Sequence, residues 1–158
     1  MKILCSLGTH TQDFSRMAKA VDELAGRMAD VEFVVQTGVT RYDFKNVKVH
    51  FDYCPKESMV KLVEEADVLI LQGGWGGMEE AVDSGKRCVV IPRVEGPEHV
   101  HDQEQLVRKM DALGCVIGCF DEKELGECVA KALTMEVKPL EKGDATAAIN
   151  GALKEWFG

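Results

Sequence analysis

The stretch ILQGGWGGMEEAVDSGKRCVVIPR, residues 70–93, decides how this chain is read. It runs from the end of an apolar strand through a glycine-rich turn into a short helix, then into a second buried strand that stops at Pro92. Four of the five residues 73–77 are glycine. Without a Cβ, the backbone there can come close to a neighbour. The helix that follows aims its N-terminus at the same place, where an anion is favoured. The same residues also suit a tight strand-to-helix connection that binds nothing. The stretch alone leaves both readings open, and the rest of the chain has to separate them.

Strand and helix patterns alternate on both sides of it. Residues 2–7 form an apolar strand, followed by a polar turn, 8–12, that carries Gly8, Thr9 and His10. Asp13 or Ser15 is the expected cap of a helix reaching about residue 28. Its apolar positions Phe14, Met17, Val21, Leu24 and Met28 recur at three and four, which marks one buried face. Further strands are expected at 31–35, 47–51, 68–71, 88–91 and 116–117. Further helices are expected at 59–65, from the glycine turn through 82, at 102–113 with Gly114 as the stop, and at 122–133. A connector over 138–142 and an amphipathic helix over 145–157 end the chain. That helix is expected to pack on the domain; the alternative is that Trp156 and Phe157 meet a partner. The whole of 1–158 is read as one domain, with 139–158 as connector and terminal helix.

Such alternation implies an α/β fold: an open, doubly wound parallel sheet in three layers, αβα. Right-handed crossovers make 3-2-1-4-5-6 the simplest strand order. The turns at 8–12 and 72–77 then follow the two strands at the switch in the winding, and they face each other across one crevice. This moves the glycine turn towards the ligand reading.

Composition narrows the ligand. The formal charge of -8 over 158 residues argues against general nucleic-acid binding, which needs a basic face. No apolar run is long enough to cross a bilayer, and residues 1–8 are too short an apolar run for a signal peptide, so a cytoplasmic protein is expected. Six cysteines without a C-x-x-C pair do not suggest disulfides or a zinc site. Cys5, Cys88 and Cys115 sit in apolar runs as small buried residues. Neither the dinucleotide fingerprint G-x-G-x-x-G nor a P-loop is present. Glu79 and Glu80 lie one turn into the helix after the glycines. There a carboxylate either accepts hydrogen bonds from ribose hydroxyls or simply suits the helix dipole. Asp102 and Gln103 open a later helix, with His99 and His101 close by.

The run Gln72-Gly73-Gly74-x-Gly76-x-x-x-Glu80-Ala81-x-x-x-Gly85-Lys86, ending at Pro92-Arg93, resembles the carboxyl-terminal domain of family 28 glycosyltransferases. It is most similar to the small, stand-alone catalytic subunits of that family, which serve two-part transferases of the dolichol pathway and of bacterial polysaccharide synthesis. Gly8-Thr9-His10-Thr11-Gln12-x-Phe14 is similar to their opening motif, and Gln36-Thr37-Gly38 to the end of their second strand. Glu98-His99-Val100-x-Asp102-Gln103 resembles their E-H-V-D-D-H-Q loop with one residue fewer.

The resemblance implies the Rossmann-like, donor-binding half of a GT-B glycosyltransferase. It implies transfer of a sugar, N-acetylglucosamine by expectation, from a UDP-sugar to a lipid-linked acceptor with inversion. It implies no metal and no cofactor beyond the UDP-sugar itself, and a membrane-anchored partner subunit that binds the acceptor and recruits this chain to the membrane. Backbone near Gly8, Thr9, Gln72, Gly73, Gly74, Gly76 and Gly77 would hold the diphosphate. Glu80 would bind the ribose, Asp102 and Gln103 the donor sugar, and Arg93 would also contact substrate. His10 is the candidate general base within this chain. The chain departs from the family in having Gln72 where a histidine usually precedes the glycines, and Trp75-Gly76-Gly77 where a small residue and Gly-Ser are common. These departures motivate an alternative: a non-catalytic UDP-sugar-binding or regulatory subunit.

Overall fold

Apolar residues at 2–6 form strand β1 (Lys2–Ser6), and the amphipathic stretch after the first turn forms α1 (Ser15–Arg27). Next come β2 (Glu32–Gln36), β3 (Val49–Phe51), α2 (Lys56–Glu65), β4 (Val68–Gln72) and α3 (Trp75–Asp83). The chain continues through β5 (Cys88–Ile91), α4 (Glu104–Ala112), β6 (Ile117–Gly118), a 3-10 turn over Glu122–Glu124, and α5 (Leu125–Thr134). The computed structural model describes residues 1–141, 143 and 154–155; the expected helix over 145–157 falls, apart from 154–155, outside the described residues, as do Trp156 and Phe157.

All six strands are parallel and ordered β3-β2-β1-β4-β5-β6, the order that the alternation predicts. Successive side chains of a strand point to opposite faces. On one face Ile3, Cys5, Val35, Ile70 and Val89 pack against α1 and α5. On the other, Leu4, Val34, Leu69, Leu71 and Val90 pack against α2, α3 and α4. The first four residues of β4 are buried on both faces, as a central parallel strand requires. The six cysteines are free, and five of them are buried. Burial pushes the Cys88 thiol up to about 12, so it behaves as a small apolar residue.

The element ends differ from expectation for local reasons. Helix α2 starts at Lys56 rather than 59, because Pro55 sets a φ of -56° and its carbonyl accepts from Met59 N at 3.1 Å. Helix α4 starts at 104, and Asp102 Oδ1 precedes it by accepting from Glu104 N at 2.7 Å. Asp13 and Ser15, the two expected caps of α1, bond to each other: Asp13 accepts from Ser15 N and Ser15 Oγ, each at 2.9 Å. Strand β3 begins at 49 rather than 47 because the preceding backbone is bound elsewhere. Asp22 of α1 is 2% exposed and accepts from the amides of Lys45, Asn46 and Val47 at 2.8–3.2 Å. Burial raises the Asp22 carboxyl's pKa, but these donors outweigh it and hold the group below its ordinary 3.8.

Asp22→Ala takes the acceptor from three amides, of which that of Val47 is buried, and is expected to cost roughly 1–3 kcal/mol of unfolding free energy in urea at pH 7. Because the folded-state pKa is depressed, this contribution is complete above about pH 3.8 and is lost as pH falls through the folded value. The gap between wild type and variant should therefore narrow in acid.

Candidate functional site

A cleft of about 380 Å³ opens at the carboxyl ends of β1, β2 and β4. Strand period and register build its floor. Ser6 is paired with Gln36 on one side and with Leu71 on the other, and all three face the side that holds Leu4 and Leu69. Helix α2 contributes Lys56, Met59 and Val63 to one wall, and α3 contributes Gly77, Glu80 and Ala81 to the other. Of the residues singled out in the sequence, Gly8, Thr9, Gln72, Gly77 and Glu80 line this cleft. Ser6, Gln36, Cys54, Lys56 and Met59 line it too, without having been picked out as site residues. Their signal was weak: a serine and a glutamine ending apolar strands, and a lysine opening a helix.

The glycines divide into two kinds. Gly8 has a φ of +85°, and a Cβ there would lie 2.9 Å from Gln72 Cγ, so both backbone and packing require glycine. Gly74 also lies against the Gln72 carboxamide, and a Cβ at Gly73 would meet Gln103 Oε1 at 2.8 Å. Gly76 and Gly77 differ. Among the described residues a Cβ at Gly76 would meet nothing within 4 Å, and one at Gly77 only Leu71 Cδ1 at 3.9 Å. Each glycine costs a helix about 1 kcal/mol relative to alanine, and no neighbour among the described residues requires either one. Their effect is to leave the first turn of α3 bare, where the N–H groups have no intrahelical acceptor.

Gln72 ties the two sides of the site together. Its Oε1 accepts from Gln103 Nε2 at 3.1 Å, and Gln103 Oε1 accepts from Arg93 N at 3.0 Å. Gln103, expected on the donor sugar, is 7% exposed, and its carboxamide is engaged on both atoms in this bridge. Arg93, expected at substrate, is 2% exposed and is placed elsewhere. Its guanidinium donates to the carbonyls of Leu7, Gln12, Asp13 and Glu98 at 2.9–3.2 Å and lies 4.4 Å from the Phe14 ring centroid. It holds the loops behind the site and does not line the cleft. Asp102 is exposed and, with Arg93, borders a separate hollow beside Arg16 and Phe120.

His10 stands on the turn after β1, next to Thr9. Its Nδ1 accepts from Gln12 N at 3.2 Å, and its ring centroid lies 4.6 Å from that of His99. His99 in turn lies 5.9 Å from His101 and accepts from His101 N at 3.0 Å. Desolvation, then the neighbouring His99 and Arg93, lower the His10 pKa below 6.5, so the neutral imidazole is the form present near pH 7. Among the described residues no group of three or more His, Cys, Asp or Glu is arranged to hold a metal ion.

A model of the glycosyltransferase family 28 C-terminal domain matches residues 3–155. The structure of ALG13, solved by NMR, superposes with a TM-score of 0.60 at 18% identity, covering 98% of this chain and 94% of that one. The glycotransferase of kitacinnamycin superposes with a TM-score of 0.66 at 22% identity, and MurG of Acinetobacter baumannii with 0.57 at 18%. This chain is covered to 98% in both cases, and it spans 38% of the first and 52% of the second. No curated protein matches the sequence.

An NMR titration should place the His10 midpoint below 6.5, and His99→Ala should raise it by removing a like charge and part of the desolvation. Since protonation is disfavoured in the folded state, His10 favours folding above pH 6.5, and that contribution is lost as pH falls through its folded value. A midpoint at or above 6.5 would contradict the arrangement.

Proposed function

This chain belongs to the family of glycosyltransferase family 28 C-terminal domains, and on that premise we propose that it is the donor-binding, catalytic subunit of a glycosyltransferase. It transfers a sugar, N-acetylglucosamine in this reading, from a UDP-sugar to a lipid-linked acceptor with inversion. One observation supports donor binding above the others: Gly76 and Gly77 bare the first turn of α3 beside a cleft, although nothing among the described residues requires glycine there. Donors at a helix N-terminus suit a diphosphate, and the apolar floor and walls of the cleft suit a nucleoside.

In this reading the diphosphate sits between the first turn of α3 and the Gly8-Thr9 turn. Lys56, exposed at the start of α2, adds a positive charge on the opposite wall. As the bond from the anomeric carbon to the diphosphate breaks, negative charge builds on the leaving oxygen, and preorganised amides stabilise it. Glu80 is exposed on the cleft wall and accepts hydrogen bonds from the ribose. The acceptor hydroxyl, approaching from the opposite side of the sugar, loses its proton to the neutral His10 imidazole at Nδ1, the ring nitrogen that accepts from Gln12 N in the free protein and must exchange that contact for the hydroxyl.

The acceptor half comes from a partner, which we take to be membrane-anchored; no helix among the described residues is long and apolar enough to cross a membrane. Trp75, Val94 and Val100, on the segments after β4 and β5, are 44%, 51% and 68% exposed, and they offer that partner an apolar rim. A second reading, a non-catalytic UDP-sugar-binding subunit, draws on Gln72. Its neutral carboxamide is committed to Gln103 at the position where the family usually has a histidine.

Calorimetry with UDP-GlcNAc, followed by a transfer assay with the partner subunit, separates the two: binding with turnover supports the catalytic reading, and binding without turnover supports the second. Glu80→Ala is expected to weaken UDP binding about tenfold, the effect of losing charge-assisted hydrogen bonds, with the thermal midpoint of the free protein unchanged. Unaltered affinity would remove Glu80 from the site.

A further inference from the structure

One polar pair in the cleft has no place in the scheme above. Gln36 ends β2, is 7% exposed, and faces the cleft between the glycine turns and the α2 wall. Its Oε1 accepts from Ser6 Oγ at 2.7 Å, and Ser6 Oγ in turn accepts from Gly8 N at 3.3 Å. The serine hydroxyl has one proton, and that proton goes to Gln36. This orients the carboxamide: Oε1 turns to Ser6, and Nε2 is left over. Nε2 has no protein acceptor among the described residues. It is also not among the fully buried orphaned atoms, which are Gln12 Oε1 and Arg93 Nε. Its N–H groups therefore open into the cleft.

The surroundings make this donor a costly feature unless it is used. The neighbouring floor is Leu4, Leu69 and Leu71, all buried, and Met59 and Val63 stand on the wall. A ligand that fills the cleft strips water from Nε2 and must supply an acceptor in its place, because a desolvated, unpaired amide is unfavourable. An apolar residue at 36 would have continued the floor at no such cost.

We infer that Gln36 contacts the donor nucleotide, its Nε2 donating to an acceptor oxygen of the bound molecule, with Ser6 as the residue that positions it. This rests on the reading of the cleft as a nucleotide site. The acceptor oxygen belongs either to the nucleoside (a base carbonyl or a ribose oxygen) or to the phosphate next to it.

The test measures affinities of the full chain for uridine, UMP and UDP, in wild type, Gln36→Met and Gln36→Glu, with thermal melts of the ligand-free proteins alongside. Gln36→Met removes the donor at similar length and is expected to weaken UDP about tenfold. Gln36→Glu keeps the acceptor for Ser6 but turns a negative oxygen towards the ligand's acceptor, so it should bind more weakly still. That order, wild type over Met over Glu, is not what a merely structural role predicts, since Glu preserves the Ser6 bond and Met does not. Ser6→Ala should act in the same direction by less. A loss already present with uridine places the acceptor on the nucleoside; a loss that begins with UMP places it on the phosphate, and either result supports the inference. Wild-type affinity in both Gln36 variants, with wild type binding UDP, overturns it and leaves the nucleotide site standing. If wild type binds none of the three, the nucleotide reading fails and this inference falls with it.

Discussion

The parallel pairing of β1 with β4 is the constraint on which the rest depends. Both strands end at one level, because Ser6 pairs with Leu71. Chain leaving β1 enters α1 on one face of the sheet, and chain leaving β4 enters α3 on the other. The two connections diverge, and a crevice must remain between them. The cleft, the Ser6 and Gln36 side chains set in its apolar floor, and the bare first turn of α3 all lie at that point.

Polar residues divide the loops around the crevice into a held side and an open side. On the held side the Arg93 guanidinium, lowered in pKa by burial but still charged, gathers four carbonyls from three segments and lies on Phe14. Arg16 ties the same loops through a bidentate contact with Glu98, a second with Glu122, and a hydrogen bond to the Pro92 carbonyl. Removing one partner of such a buried cation leaves the other groups unsatisfied, so this network favours a fixed loop geometry more than it adds net stability. The Gln72–Gln103 bridge carries that rigidity across to the glycine turn.

On the open side the chain gives up helix propensity and apolar continuity instead. Gly76 and Gly77 weaken the start of α3, and Gln36 and Ser6 interrupt an apolar floor. Local choices that disagree with stability, and that nothing among the described residues explains, are expected where a ligand completes the structure.

Read alone, the sequence determined the fold class, the strand order and the placement of the glycine turn at the switch point, because these follow from hydrophobic period and the handedness of crossovers. It also brought Gly8, Thr9, Gln72, Gly77 and Glu80 together, and they line one cleft, since each lies on or beside a turn at a strand's carboxyl end. It missed Asp22, because a helical aspartate looks solvated until three distant amides are folded onto it. The resemblance placed Arg93 at substrate, but which way its guanidinium turns, here to the carbonyls of Leu7, Gln12, Asp13 and Glu98, is not written in the sequence. The sequence passed over Gln36 and Lys56 as cleft-lining residues, because which face of a strand end or helix start lines a cleft depends on register and on neighbouring helices. Hydrophobic pattern is local and survives in one dimension. The direction of a polar side chain is decided by whichever partners the folded chain brings within hydrogen-bonding reach, and only the tertiary structure holds that.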